Sequence, residues 1–356
     1  MIFIAAAQSS FNKAIGFILL SLAFVLPSSS AYPQGFNLDK WNRGFYLAAS
    51  VKNAAILVRS SRTENMQLLL VDFDSGKRAK LKSEGSHLLS PYLSPDGGRL
   101  LFLRELLGRK GTELVSCNTA SLACHVVFRS AGSLHSAIEV SGNRILYVSS
   151  PYVTGGDGRV RLSRNDIWIF DPTTGPRQLT DFKLYELDSL AVAQNQIYFS
   201  AYGPSRDRPI IPQPNPLADQ QSSIFRLPYD PEKATIDSPS RMMTPLFVSA
   251  GIANYPTASV DGSLVAFLRT RTNTSPYHYN LVIVDQSSNS EQLIESPGLG
   301  SSRPVIIDHE VYASVTGEDR TLIQVNRQGE RSMKTLADID DASIAGAAAT
   351  ELNIDP

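Results

Sequence analysis

A short β-type run centred on an aromatic or apolar residue returns along this chain at nearly constant spacing, and that recurrence limits the fold more than any other feature. The centres are Leu57 in AAILVRS, Phe102 in RLLFLR, Tyr147 in RILYVS, Phe199 in QIYFSAY, Phe267 in LVAFLRT and Ala313 in VYASV, at intervals of 45, 45, 52, 68 and 46 residues. Each is followed by a second apolar strand: MQLLLVDF, GTELVSC, NDIWIFD, SSIFRL, NLVIVD and TLIQVN. Turn residues such as DSGK, DPTTGP, DQSSNS and NRQGE then lead into short strands such as RAKLK, RQLT, EQLI and RSMKTL. With a strand before each centre (SPYLS, SAIEV, SLAVA, PTASV, RPVII), the unit is four short strands per period. One such sheet buries too little apolar surface to stand alone, whereas sheets stacked around an axis cover one another. The pattern therefore predicts an all-β fold, a β-propeller of four-stranded blades, six by count, with a seventh incomplete blade as the variant. Phe45–Ala49 reads as the innermost strand of the first blade, and Ala342–Thr350 (ASIAGAAAT) as a further innermost strand.

Residues 14–26 (AIGFILLSLAFVL) follow Lys13 and precede Pro27 and three serines. That apolar run is shorter than the roughly 18 residues of a membrane span, and Ser29 and Ala31 supply the small residues of an export cleavage site. The expected division is a signal peptide at 1–31, a linker at 32–43, the propeller at 44–350 and a tail at 351–356, with no transmembrane anchor after cleavage. The location expected is periplasmic or secreted. A net charge of −1 argues against general affinity for nucleic acid.

Ser94-Pro95-Asp96-Gly97 followed by GRLLFLR resembles the blade motif of TolB-type propellers, with SVDGSLVAFLR (259–269) a looser copy. NDIWIFDPTTGPRQLTD (165–181) is similar to the later half of the same repeat. The resemblance implies a WD-repeat-like propeller. TolB also carries an α/β domain ahead of its propeller, for which residues 32–43 leave no room, so the expectation is a propeller lacking that domain. Related propellers precede the hydrolase domain of prolyl oligopeptidase-like peptidases, and no G-x-S-x-G elbow is present here.

Cys117 and Cys124 flank NTASLA in the hairpin between the third and fourth strands of the second blade. In an exported chain they are expected to form a disulfide, since the spacing is not C-x-x-C and no second pair exists to suggest redox or metal chemistry. Cys117 aligns with Asp72, Asp171 and Asp285, which are placed to hold the following turn, so the disulfide is expected to replace that tie. The five histidines show no ligand spacing, and neither a metal nor another cofactor is expected.

The loops between second and third strands emerge on one face and are long: 104–111, 150–165, 203–222 and 269–279. They hold Arg104, Arg109, Lys110, Arg159, Arg161, Arg164, Arg206, Arg208, Arg269 and Arg271 against four acids, with Tyr152, Tyr277 and His278 among the arginines. This composition suits recognition of an acidic glycan or protein of the envelope or extracellular space; the plainer reading is that such charges keep loops solvated. The function expected is non-enzymatic binding through this face. The alternative is a propeller enzyme, lyase-like or lactonase-like, acting at the central channel. The innermost strands offer few ionisable groups, Glu139 being the exception, which favours the binder.

Overall fold

The structure is a computed structural model that describes residues 46–50, 53–59, 66–72, 78–82, 86–106, 111–154, 156–158, 160–162, 164–182, 184, 186–202, 222–236, 244–247, 251–271, 279–299, 303–314, 321–326, 329–335, 348–351 and 354–355. The chain divides by its contacts at Asp39/Lys40, and every described residue belongs to the second unit. The expected signal peptide and linker lie outside the described residues. Among these, no helix is long and apolar enough to cross a membrane.

The first sheet is β1 (Tyr46–Ala49), β2 (Asn53–Arg59), β3 (Met66–Asp72) and β4 (Arg78–Lys82). The second is β5 (Ser86–Leu93), β6 (Arg99–Leu106), β7 (Thr112–Asn118) and β8 (Cys124–Ser130). The third joins β9 (Ser133–Val140) and β10 (Arg144–Ser150) to β13 (Asp166–Asp171) and β14 (Gly175–Gln178), and a separate hairpin, β11 (Tyr152–Thr154) and β12 (Val160–Leu162), interrupts it. The fourth is β15 (Glu186–Ala193), β16 (Gln196–Tyr202), β17 (Ser222–Pro228) and β18 (Thr244–Phe247). The fifth is β19 (Gly251–Ala258), β20 (Leu264–Arg271), β21 (Tyr279–Asp285) and β22 (Ser290–Leu299). The sixth is β23 (Val305–Ile307), β24 (Glu310–Ser314), β25 (Thr321–Val325) and β26 (Arg331–Thr335).

Within each sheet the four strands follow one another in the chain, with only the β11–β12 hairpin intervening in the third, and run antiparallel, so the 2–3 loops lie at the end of the sheet opposite the 1–2 and 3–4 turns. The first strands touch in a closed circle: β1 contacts β5, and each contacts the next through β9, β15, β19 and β23, which returns to β1. This is the β-propeller that the repeat spacing predicts. Leu100, Leu101, Phe102 and Leu103 are consecutive and all buried, because both faces of the sheet are covered by neighbours. Between the third and fourth sheets, Leu146, Ile167, Ile169, Phe199 and Phe225 share one cluster, which Phe182 joins from the connection. Phe199 stacks between Phe182 and Phe225 at ring-centre distances of 6.2 and 5.8 Å.

One expectation is corrected. Residues 342–350 were expected to form an innermost strand, but β27 (Ala348–Glu351) pairs in parallel with β4, the outermost strand of the first sheet. β28 (Ile354–Asp355), within the stretch expected to be a tail, pairs in parallel with β8 of the second sheet. Apolar alternation in a run as small as AAAT suits an outer edge as well as an inner one, and composition does not choose between them.

Candidate functional site at the axis

The turns between first and second strands are built from their own side chains. In Ser94-Pro95-Asp96-Gly97, the Ser94 hydroxyl donates to Asp96 Oδ1 at 2.6 Å, the Gly98 N–H donates to the same oxygen at 3.0 Å, and Arg99 N–H donates to Ser94 Oγ at 2.9 Å. The fifth sheet repeats this geometry: Ser259 Oγ to Asp261 at 2.6 Å, Ser263 N–H to Asp261 at 3.1 Å and Leu264 N–H to Ser259 Oγ at 2.9 Å. Gly97 and Gly262 take φ of 72° and 66°, the left-handed conformation that the motif reserves for glycine. Two segments matched by sequence are thus matched atom by atom.

These turns rim a cavity of about 1040 Å³ lined by the first strands of all six sheets, which places it on the axis at the face of the tight turns. Several of its polar groups are engaged across the ring. Arg99 of the second sheet pairs with Glu139 of the third at 2.7 Å, and Arg303, two residues ahead of β23, donates to the Leu190 carbonyl of the fourth sheet at 2.6 Å, reaching past the fifth. Tyr92 OH donates a long 3.4 Å bond to the Glu139 carbonyl. Burial raises the Glu139 carboxyl above its ordinary value; Arg99 pulls it back and Asp96 adds to the rise. The Tyr92 hydroxyl is pushed up to about 12, chiefly by burial and then by Glu139, with Arg303 opposing. β5, β15 and β19 each carry a bulge beside a residue of positive φ: Ser90 (48°), Ser189 (53°) and Tyr255 (61°). A bulge re-aims the backbone of a strand, and four of the six strands facing the axis have one, since β9 is bulged at His135 as well. Among the described residues, no group of three His, Cys, Asp or Glu side chains gathers as a metal site.

Cys117 and Cys124 form the expected disulfide, directly opposite in the β7–β8 ladder with Cα atoms 4.1 Å apart. The expectation that it replaces an aspartate tie needs correction. Asn118, one residue later, accepts the Ala120 and Ser121 N–H groups at 3.0 and 2.9 Å, just as Asp171 accepts those of Thr173 and Thr174 and Asp285 those of Ser287 and Ser288. The disulfide adds to the turn's own tie.

Of the residues expected on the long-loop face, those that are described lie towards the other end of the sheets. Arg104 and Arg269 sit within strands, opposite Glu113 and Asn280, because β6 and β20 run further than the loop boundaries allowed. Arg104 is bound to Glu113, whose second oxygen takes Arg129 Nε at 2.6 Å; neither partner carries a signal in the sequence. Tyr152 is exposed on β11 and Arg164 is exposed beyond β12. Arg161 lies in β12 and Arg271 ends β20, with side chains outside the description, while Arg109, Lys110, Arg159, Arg206, Arg208, Tyr277 and His278 lie outside the described residues. The structure brings Tyr152 and Arg161 onto one hairpin, in pairs Tyr152–Leu162 and Val153–Arg161. At the axis, Glu139 was noticed from its sequence; Arg99 could have been, as it directly follows the SPDGG turn, but nothing in SSRPVII distinguishes Arg303.

No protein-family profile matches the chain, and none of the curated proteins matches it. Its fold is similar to solved structures. TolB from Acinetobacter baumannii aligns at a TM-score of 0.60 and 15% identity over 79% of this chain and 63% of that one. A TolB protein from Agrobacterium tumefaciens aligns at 0.52 and 13% identity over 76% and 89%. The acylaminoacyl peptidase of Pyrococcus horikoshii aligns at 0.50 and 14% over 83% of this chain and 46% of its own. This chain thus spans about 63% of the Acinetobacter protein's length. At these identities the likeness establishes the TolB-like propeller fold and nothing further.

Proposed function

We propose that this chain is an exported, non-enzymatic binding module that holds an extended segment of a protein partner in its axial cavity. The carrying observation is the convergence of six sheet-edge strands on one cavity in which Arg99 and Glu139 are paired. Each first strand is the end strand of its sheet, and an extended segment can take hydrogen bonds along such an edge. Arg99 and Glu139 hold each other, and Asp96 is held by its own turn, so these groups serve recognition better than proton transfer. Two arginines stand there among Glu139, Asp96 and Asp308, a mixed set that suits a polypeptide better than an acidic glycan. The apolar run at 14–26 and the disulfide support export.

A second reading places an acidic protein or glycan on the Arg-rich 2–3 loops. The β11–β12 hairpin favours it, since Tyr152, Val153 and Arg164 are all exposed there. Capture from envelope or culture fractions distinguishes the two. The mature chain is run beside Glu139→Lys and beside a variant with Arg159, Arg161 and Arg164 all changed to Glu, each checked for an unchanged melt. Loss of the captured protein with Glu139→Lys alone supports the axial site. Loss with the triple variant alone moves the function to the loops.

A further inference from the structure

The bulges of the inner strands are joined to one another from sheet to sheet. Each leaves a residue outside its ladder: Ser90 in β5, His135 in β9, Ser189 in β15 and Tyr255 in β19. Ser90 Oγ of the second sheet donates to the His135 carbonyl of the third at 2.6 Å. Ser136, the next residue, accepts the Leu190 N–H of the fourth sheet at 3.2 Å, beside Ser189. The Leu190 carbonyl takes Arg303 Nη2 at 2.6 Å, so both backbone groups of that residue are held from other sheets. Arg303 also acts through its charge on the Tyr92 hydroxyl of the second sheet. The cavity stops at this level. Its lining begins at Pro91 in β5, Ile138 in β9, Ala191 in β15 and Thr257 in β19, each on the turn side of the bulged residue, and Arg303 is part of it.

Resting on the axial reading of function, we propose that this belt is the floor of the cavity and Arg303 the residue that shuts it, so that the partner's segment enters and leaves by the tight-turn face and never threads the ring. The serine ties join adjacent sheets and so border the axis, whereas the Arg303 side chain runs past the fifth sheet to the fourth and cuts across it. Leu190 lies four residues before Gln194, which puts the floor about 13 Å below the turns at about 3.3 Å per residue. A floor at that depth decides what the site reads. Only the last few residues of each inner strand meet the segment, while the deeper His135 carbonyl and the Leu190 backbone groups are already bonded and offer it no ladder.

Two thiols test the floor without any partner. Both cysteines of the chain are in the disulfide, so Ser133→Cys and Val140→Cys, at the two ends of β9, add one thiol on each side of the floor, about 23 Å apart along the strand. The probe is a flexible bis-maleimide of that reach. The floor predicts that the cross-link within the chain forms at least about 10-fold faster once Arg303→Ala is added, because a linker that cannot pass between two sites gives almost no effective concentration. Each single thiol should take a one-armed maleimide at a rate that Arg303→Ala leaves unchanged. An equal cross-linking rate with and without Arg303 would overturn the floor, as would a changed one-armed rate, which would mean local unfolding instead. Arg303→Gln stands in if the alanine variant does not fold. Photoreactive residues at Val260, on the cavity rim, and at Ser133 separate this from the axial reading itself. In the envelope or culture fraction, a partner adduct from 260 alone supports both. Adducts of one segment from both positions would mean threading and overturn the floor while keeping the site. No adduct from 260 ends the axial reading, and the thiol rates then decide the floor by themselves.

Discussion

Changing Glu113 to alanine removes a carboxylate that is only 3% exposed and serves two arginines at once. Arg104 and Arg129 flank it in the ladder, on β6 and β8, and bond its two oxygens. The two arginines differ in what they lose. The Arg129 side chain is 60% exposed and rehydrates, whereas that of Arg104 is 15% exposed and is left as a largely buried cation without its counter-charge. Breaking a buried pair from one side costs about 3–5 kcal/mol, and the exposure that remains to Arg104 puts the expectation at the low end, about 3 kcal/mol. For a chain of this size that lowers the melting temperature by about 4–5 °C. Arg129→Ala removes a bond from a solvated donor and is expected to cost less than about 1 kcal/mol. Urea unfolding of Glu113→Ala, Arg104→Ala, Arg129→Ala and the corresponding double variants measures the couplings directly. If Glu113→Ala lost less than about 1 kcal/mol, or if Arg129→Ala cost as much as Arg104→Ala, the assignment of the stabilisation to burial would be wrong.

Replacing Cys117 and Cys124 by serine is expected to cost roughly 2.5 kcal/mol on the loop-entropy account, measured by unfolding under oxidising conditions, and the Asn118 turn should persist in its amide shifts. Gly132→Ala would place a Cβ 2.4 Å from the Ser150 carbonyl oxygen and 2.8 Å from Pro151 Cα, so a loss of about 1–3 kcal/mol is expected in the same assay. Asp171 is held at about 2 by the Thr173 N–H and then by Arg144, and Asp261 at about 2 by the Ser259 hydroxyl and the Ser263 N–H. Both folded-state values lie below the unfolded one, so the stability they add is present above about pH 4 and is lost as pH falls towards 2. A melting curve series across that window should decline, and Asp171→Asn with Asp261→Asn should flatten the decline while keeping the turns.

The parts of this fold that are legible in the sequence are those set by local chemistry. The Ser-x-Asp-Gly turns are recognisable because serine, aspartate and glycine each do a separate job within five residues, and both copies fold alike. The blade spacing is legible because strands buried on both faces must be apolar throughout, as 100–103 are. The cysteine pair follows from a hairpin register that local spacing defines. What depends on distant parts of the chain is not legible. Arg303 reaches Leu190 across more than a hundred residues, and Glu113 gains its arginines only through the ladder. The edge on which Ala348–Glu351 docks is a matter of ring geometry that a run of alanines does not encode. Expectation therefore fell on the long-loop face, where insertions are conspicuous, while the cavity opens among turns whose brevity makes them inconspicuous.

Photo-crosslinking tests the axial site most directly. Val260 is 79% exposed at the cavity rim and Val153 is 46% exposed on the β11–β12 hairpin at the opposite end of the sheets, so each accepts a photoreactive residue without disturbing the core. With both versions irradiated in the same envelope or culture fraction, the account predicts a discrete protein adduct from position 260 and none from position 153. An adduct from position 153 alone would contradict it and assign the binding face to the long loops.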